Sequence, residues 1–593
     1  MNRQQFICRK MFFQVLWPSL ISAVALSAAN MADAVTVGNR MGESGLAAIG
    51  MVTPLYMLYN VMGLGFSAGG GVTHSRLAAA GREDDALAHF RYLAVWLLAA
   101  SLGLALLGNL LMQPLLSLLG ANKAQSALRV LCEEYARPIV SAAPIFLLNF
   151  LLYDLVRCDN GAELATLGFS VGCVVDLLLN ILFVLVLGWG VPGSAWATVI
   201  AQMTSVAIMS THFFRGKGIL HVKRLQSAPG NAEMASEAGR SLRIGFSTSA
   251  RYVFQFLFLM LGNRLLLQAG ARGVINGEIY VAVFDVVMNV SYLAYGIYQA
   301  FSDTMQPLAS TFSAEHDRAS LRYLLVIAIQ YGLIVGMVIS ALICLNARPV
   351  SLLFGLKDKE ALAVSMQAIP IFCLSTPFAG ITIILTGFYQ STGQEKLATL
   401  ATVFRTIVFL LPATFAAGLL FPHDFWWLFL VSEGGSLCAL IAEARINARR
   451  NEAQKGRKTP VFSATMDQDN RELGKVLEGV AAFCEREEIP MKQAMLIELA
   501  VEELCVVTQE KAFTGKPDEY ICLTLAKEQN GDYVLHIRNS APYFNPLDMR
   551  MGRLNAQSQE ELLDSVGVML VRKRAKDFHY RNYQGFNVMT VTI

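Results

Sequence analysis

Charge is what this sequence has least of: Asp, Glu, Lys and Arg make up 16% of its 593 residues, against 54% hydrophobic. Soluble domains run near a quarter charged, so this deficit requires a solvent that tolerates apolar surface. Paired cysteines are missing as well. The ten cysteines include no C-x-x-C and no Cys/His cluster at metal spacing, which argues against a zinc module or a disulfide framework. No G-x-x-x-x-G-K-[S/T] run occurs, so the chain has no P-loop motor. No nucleic-acid partner and no tightly bound cofactor are expected.

What is present is apolar length, at a mean hydropathy of +0.46. A bilayer core about 30 Å thick needs roughly 20 apolar residues per helix. Twelve stretches supply them, near 13–37, 46–70, 90–113, 131–155, 164–187, 192–213, 240–268, 279–303, 320–345, 362–388, 397–420 and 425–446. The basic start (Arg3, Arg9, Lys10) resembles a signal peptide, but the apolar stretch after it is too long, so it reads as a first transmembrane helix. An even number of spans puts both ends on one face. Lys and Arg gather there (Arg76, Arg215, Lys217, Arg318, Arg449, Arg450), so both termini are expected in the cytoplasm.

The expected organisation is a six-helix lobe (1–213), a cytoplasmic linker (214–239), a second six-helix lobe (240–446), a basic linker (447–460) and a soluble domain (461–593). The lobes resemble each other. The run L-A-T-L ending at Leu167 superposes on the same run ending at Leu400; that shift places Gly63 on Gly296, and nearly the same shift places Asp33 on Asn263. Two like-oriented repeats imply a substrate cavity between them. The soluble part alternates helix and strand: strands near 461–466, 520–527, 533–538, 578–583 and 586–593, helices near 468–488, 491–513 and 558–577, and a hairpin signal at Asn530-Gly531. That pattern is an α+β sandwich of a size that folds alone.

Ionisable groups inside a membrane are costly and therefore functional candidates. Asp33 lies on the first span, and Asp176 lies on the fifth with Asn180 one turn further along the same face. Two carboxylates with amide and hydroxyl oxygens suit a hard cation or a proton. In the second lobe, Asp285 and Glu433 are deep in their spans, and each is read as lacking a polar partner at helical spacing. The glycine runs from Gly63 to Gly71 and at Gly434-Gly435 are read as close helix packing.

Four phrases carry a resemblance: A-N-M-A-D-A-V-T-V-G-N-R-M-G-E-S-G-L-A-A-I-G from Ala29, V-R-C-D-N-G from Val156, D-L-L-L-N from Asp176 and G-V-P-G-S-A-W-A-T from Gly190. In this order and spacing they resemble the multidrug and toxic-compound extrusion (MATE) family over residues 10–450. The resemblance implies an all-α bundle of twelve helices in two six-helix lobes, alternating access, and export of small, cationic or amphipathic compounds against inward Na⁺ or H⁺. It also implies a cation site at Asp33, Asp176, Asn180 and Thr198; secondary candidates are Asn263, from the repeat, and Asp285 and Glu433, from their depth in the second lobe. One departure is that D-x-x-x-N stands here where the family commonly has N-x-x-x-D. The charge is kept on one helical face but moved by about one turn, roughly 5 Å.

The soluble domain resembles the GHKL ATPase domain of anti-sigma-factor kinases through E-L-A-V-E-E-L-C-V-V, R-N-S-A-P-Y-F-N-P-L and S-V-G-V-M-L-V-R-K. The family's nucleotide site implies roles for Glu503, Asn539 and Gly567. However, Val507 stands where an Asn would hold Mg²⁺, and Asn539-Ser540-Ala541 replaces D-x-G. Only Gly567 of the lid glycines remains. Loss of the Mg²⁺ ligand and of the adenine-reading carboxylate should remove most ATP affinity. The expected protein is a bacterial cytoplasmic-membrane exporter whose degenerate ATPase-like tail regulates it or binds a protein partner. Two alternatives are a lipid-linked oligosaccharide flippase and a membrane-tethered serine kinase that uses the bundle as a sensor.

Overall fold

The computed structural model describes residues 3–79, 83–120, 126–215, 220, 231–315, 317–453, 461–516, 519–527, 531–546, 559–583 and 586–593. Lys217, Asn530 and most of the inter-lobe linker lie outside them. The first half comprises α1 (Arg3–Ala79), α2 (Glu83–Leu110), α3 (Met112–Leu119), α4 (Ser126–Ser141), α5 (Ala143–Val156), α6 (Ala162–Asn180), α7 (Val191–Ser210) and α8 (His212–Arg215). The second comprises α9 (Asn231–Ala271), α10 (Gly277–Ala314), α11 (Arg318–Leu345), α12 (Ala347–Leu353), α13 (Lys359–Ser391), α14 (Glu395–Val403), α15 (Leu411–Leu420) and α16 (Trp427–Ala453).

Among the described residues, ten helices are long and apolar enough to cross a membrane. An eleventh arises if α4 and α5, bent by 51° at their junction, cross as one span. The first two expected spans both fall in α1. A straight 77-residue helix would run about 115 Å, several bilayer cores long. It breaks at Gly42 (φ 66°, ψ −146°), a conformation that a residue with a Cβ rarely adopts, and each arm exceeds a span's length. Of three wide π-helical turns, Arg157–Gly161 joins α5 to α6, Ile181–Val186 closes the span begun by α6, and Phe404–Leu410 interrupts the span formed by α14 and α15.

α1 packs along both α9 and α10, so it ties the two halves together. Its start lies on second-half helices: Phe12 meets Phe301 at 6.2 Å between ring centroids and Phe13 meets Tyr331 edge-on at 4.8 Å. At the opposite end of the bundle, the Gly42 turn meets the α12–α13 turn. Asn39 Nδ2 donates to the Leu353 carbonyl at 2.6 Å, and Glu43 Oε1 accepts from the amides of Lys357 and Asp358 at 3.0 and 3.1 Å. Gly63 lies flat on the Phe150 ring with no room for a Cβ, and Gly435 does the same on Phe409, in keeping with close packing; Gly434 has open space.

The tail contains β1 (Val461–Met466), α17 (Asn470–Arg486), α18 (Met491–Val507), β2 (Ile521–Lys527), β3 (Tyr533–Asn539), α19 (Gln559–Arg574), β4 (Asp577–Tyr583) and β5 (Phe586–Thr592). Its sheet is antiparallel throughout, in the order β1-β2-β3-β5-β4. Alternation sends Ile521, Leu523, Leu525, Leu535 and Ile537 to one face, where Val480, Phe483, Ile497, Val501 and Leu504 of α17 and α18 close a core. The other face carries Cys522 and Arg538 and rests against the bundle.

Candidate functional site

α1, α6 and α7 bring the four first-half candidates together. Asn180 is fully buried, and its Nδ2 donates to Asp33 Oδ1 at 2.6 Å. The same amide reaches the Asp176 carbonyl at 3.1 Å and Asp176 Oδ1 at 3.3 Å, because i and i+4 share a helical face. Thr198 Oγ1 donates to Asp33 Oδ2 at 3.3 Å. The exchange of Asp and Asn within D-x-x-x-N therefore has a geometric result: a neutral amide, not a second carboxylate, stands against Asp33. It bridges the two acids.

Two further oxygens belong to this cluster. Thr36, one turn after Asp33, donates from Oγ1 to Asn180 Oδ1 at 3.4 Å. Ser194, one turn before Thr198, is buried with no hydrogen-bond partner for its hydroxyl. Both could have been found from i, i+3 and i, i+4 spacing about the named residues. Two carboxylates, an amide oxygen and three hydroxyls make a set of hard oxygen donors of the kind Na⁺ takes, and the carboxylates equally suit a proton. Tyr56, Tyr59, Tyr135 and Phe146 form an aromatic group in the same half, with Tyr56 and Tyr135 joined through their hydroxyls at 3.3 Å.

The second half requires two corrections. Asp285 does have a partner at helical spacing: Asn289 Nδ2 donates to its carbonyl at 2.9 Å and to its Oδ2 at 3.2 Å. The segment 285–289 is itself D-x-x-x-N, the pattern of 176–180, and the signal lay in the sequence unread. Asp285 packs on Gly50 of α1, and Asn263 Nδ2 donates to the Gly50 carbonyl at 2.8 Å. Asn263 Oδ1 is buried without a partner.

Glu433 is also partnered, by a residue far away in sequence. Arg405 Nε reaches both its carboxylate oxygens at 2.9 Å and Nη2 reaches Oε1 at 2.7 Å, while Tyr295 Oη donates to Oε1 at 3.3 Å. The guanidinium also lies 4.9 Å from the Tyr295 ring centroid. This forked pair neutralises Glu433 and leaves it a poor cation ligand. In the V-R-C-D-N-G run, Asp159 holds the ends of several elements together: it contacts His212 Nε2 at 2.9 Å and His74 Nε2 at 3.3 Å and accepts from the Leu220 amide at 2.8 Å.

In the tail, Glu503 of α18 lies against Gly567 of α19 with no room for a Cβ between them. Val507, at the Mg²⁺-ligand position, is core. Asn539 is wholly buried at the end of β3, where its Oδ1 accepts from the Ala541 amide at 3.2 Å and from Asn587 Nδ2 at 2.9 Å. A cavity of about 390 Å³ is lined by Gln468, Leu473, Val506, Gln509, Glu510, Phe513 and Gly515, and includes none of Glu503, Val507, Asn539 and Gly567. Among the described residues, no group of three or more His, Cys, Asp or Glu side chains could hold a metal ion.

The MatE family profile matches residues 18–185 and 253–415. The chain belongs to the MATE family. Residues 466–593 match the histidine kinase-like ATPase domain. Multidrug export protein MepA of Staphylococcus aureus is 22% identical over 404 residues, covering 67% of this chain and 84% of MepA. MepA of Staphylococcus saprophyticus is 22% identical over 412 residues, covering 68% and 85%. Among solved structures, an inward-facing multidrug-resistance MATE transporter aligns with a TM-score of 0.62 at 20% identity, over 72% of this chain and 96% of its own. The MATE multidrug transporter DinF-BH, solved as a complex, aligns at 0.57 and 23%, over 74% and 95%. The MATE chain is thus an integral membrane protein with a fused ATPase-like domain. That tail lies outside the matched transporter segments.

Proposed function

We propose that this MATE chain is a secondary exporter of small cationic or amphipathic compounds, driven by inward flow of Na⁺ or H⁺ across a bacterial cytoplasmic membrane. The observation that carries this reading is the convergence of Asp33, Asp176, Asn180 and Thr198 from three helices. Paired acids linked by one amide can exchange a cation for a change in their own hydrogen bonding, which couples ion binding to helix position. A multidrug export function for the S. aureus relative supports the substrate class. The acids also favour an ion-coupled exporter over a lipid-linked oligosaccharide flippase.

Both termini face the cytoplasm in this reading, and the tail regulates transport without hydrolysing ATP. The core position of Val507 and the packing of Glu503 on Gly567 support a domain that has exchanged nucleotide contacts for internal ones. In an efflux-deficient strain, Asp176→Asn should abolish the drug resistance that the wild-type chain confers; unchanged resistance would overturn the cation site. Calorimetric titration of residues 461–593 with Mg-ATP tests the tail. Micromolar binding there would restore the kinase alternative.

A further inference from the structure

The tail meets the bundle at a junction of three parts: the outer face of its sheet, the start of α1 and the corner between α10 and α11. Arg538 and Cys522 are register partners on β3 and β2, on the face away from the tail's own core. The Arg538 guanidinium is buried, pairs with Glu315 just after α10, and lies 4.5 Å from the Phe312 ring centroid. Asp317, which caps α11, accepts from Gln4 Nε2 at 2.7 Å. Arg3 pairs with Glu472 and, at 2.6 Å, with Asp467, and lies 5.5 Å from the Tyr520 ring centroid. Ile7, Phe12, Phe312, Cys522 and Phe586 share one apolar cluster.

This junction has the properties of a latch. Burial works against the Arg538 charge, but Glu315 and Asp317 outweigh it and raise the pKa above that of an ordinary guanidinium. Separating such a pair without hydrating it leaves a buried, uncompensated charge, so opening the junction requires water to reach both groups. The seat is made on the start of α1, the helix that further along carries Asp33 and breaks at the Gly42 turn. With the tail seated, that turn is closed against the α12–α13 turn by Asn39 and Glu43. Alternating access requires one half to rock against the other, and α1 touches both.

We propose that the seated ATPase-like domain restrains the transport cycle: through Arg538–Glu315 and Arg3–Asp467/Glu472 it pins the start of α1 to the α10–α11 corner, and turnover at full rate requires its release. The restraint rests on the exporter reading, whereas the seating can be read without transport.

Cys522 reports on it. Burial pushes this thiol up to about 12, with Arg538 pulling it partly back, so it stays unreactive while seated. Cys505, fully buried in the tail's own core, reports unfolding instead. In the full chain in membranes, Arg538→Glu should raise maleimide labelling of Cys522 at least tenfold, leave Cys505 protected and raise efflux at least twofold. The charge swap Arg538→Glu with Glu315→Arg should return both towards wild type. If Cys505 also labels, the tail has unfolded, and Arg3→Glu, at the other edge of the junction, replaces the first variant. The proposal is overturned if Cys522 stays protected in the folded variant, or if it is exposed while efflux is unchanged or falls. A wild-type chain that exports no probe, while Cys522 still responds, would sink the exporter reading and leave the seating intact.

Discussion

Asn180→Ala removes the one amide that touches both acids of the first-half site. Its Nδ2 lies 2.6 Å from Asp33 and 3.3 Å from Asp176, and its oxygen is the only amide oxygen in the donor set. A hydrogen bond to a charged group contributes about 1.5–3 kcal/mol. At about 1.36 kcal/mol per tenfold, losing that oxygen as a ligand weakens Na⁺ affinity by roughly 10- to 150-fold. Thr198→Ala deletes a single, longer contact to Asp33 Oδ2 at 3.3 Å, for which about 0.5–1.5 kcal/mol, or roughly 2- to 13-fold, is expected. The two variants should therefore differ in degree, with Asn180→Ala the worse. Thermal stabilisation of the purified full chain by increasing Na⁺ reads the affinity directly. Efflux of a cationic dye in cells should follow the same order. The assignment fails if Thr198→Ala is as damaging as Asn180→Ala, or if Asn180→Ala remains within twofold of wild type in both assays.

Other perturbations test the surroundings. Arg405→Ala leaves Glu433 buried without its partner, a loss of up to about 3–5 kcal/mol. Replacing both by apolar residues should cost less than the two single changes combined, and additive shifts in the unfolding midpoint would disprove the pairing. Gly355 has φ +81° and lies against the backbone of Gly38, so Gly355→Ala should cost more than about 1 kcal/mol and part the two halves at that end. Raised protease access to the 353–358 turn would register it, and a wild-type digestion pattern would refute it. Burial works against the Glu519 charge, but the hydroxyl and amide of Thr514 and the amide of Lys516 outweigh it and hold its pKa below the ordinary Glu range. A lowered folded value contributes stability above the ordinary value that is lost as pH falls through the folded one. Glu519→Gln should therefore flatten the acid unfolding curve of residues 461–593 followed by circular dichroism; a curve of unchanged steepness would count against these contacts.

The sequence disclosed what is written in short periods. The tail's strands announce themselves by alternation, as at Ile521, Leu523 and Leu525, and its helices by amphipathic spacing, so the sandwich was legible. Asp33, Asp176 and Asn180 were legible as well, since charge in a long apolar run is conspicuous. Two kinds of fact stayed hidden. Contacts between distant residues leave no local mark, and Arg405 with Glu433, or Arg538 with Glu315, are joined only by folding. Changes of helix type, as at Ile181–Val186, cost the pattern nothing, because a π turn leaves the apolar run intact. Asn289 belongs to neither kind: it stood one turn from Asp285 and was readable.

The two D-x-x-x-N segments finally separate by what faces them. Asp176 and Asn180 meet Asp33 and Thr198, on helices α1, α6 and α7 of the first half, so rocking one half against the other can leave that cluster assembled. Asp285 and Asn289 lie on α10 of the second half, and Asp285 is packed against Gly50 of the first. Asn263, also of the second half, holds the same Gly50 carbonyl. Their burial depends on the halves staying in contact at this point. A carboxylate whose cover comes from the opposite half gains water whenever that half withdraws, and burying it again is costly. The same local spelling thus yields a cluster of converging oxygens within one half and, in the other, an acid covered by the opposite half.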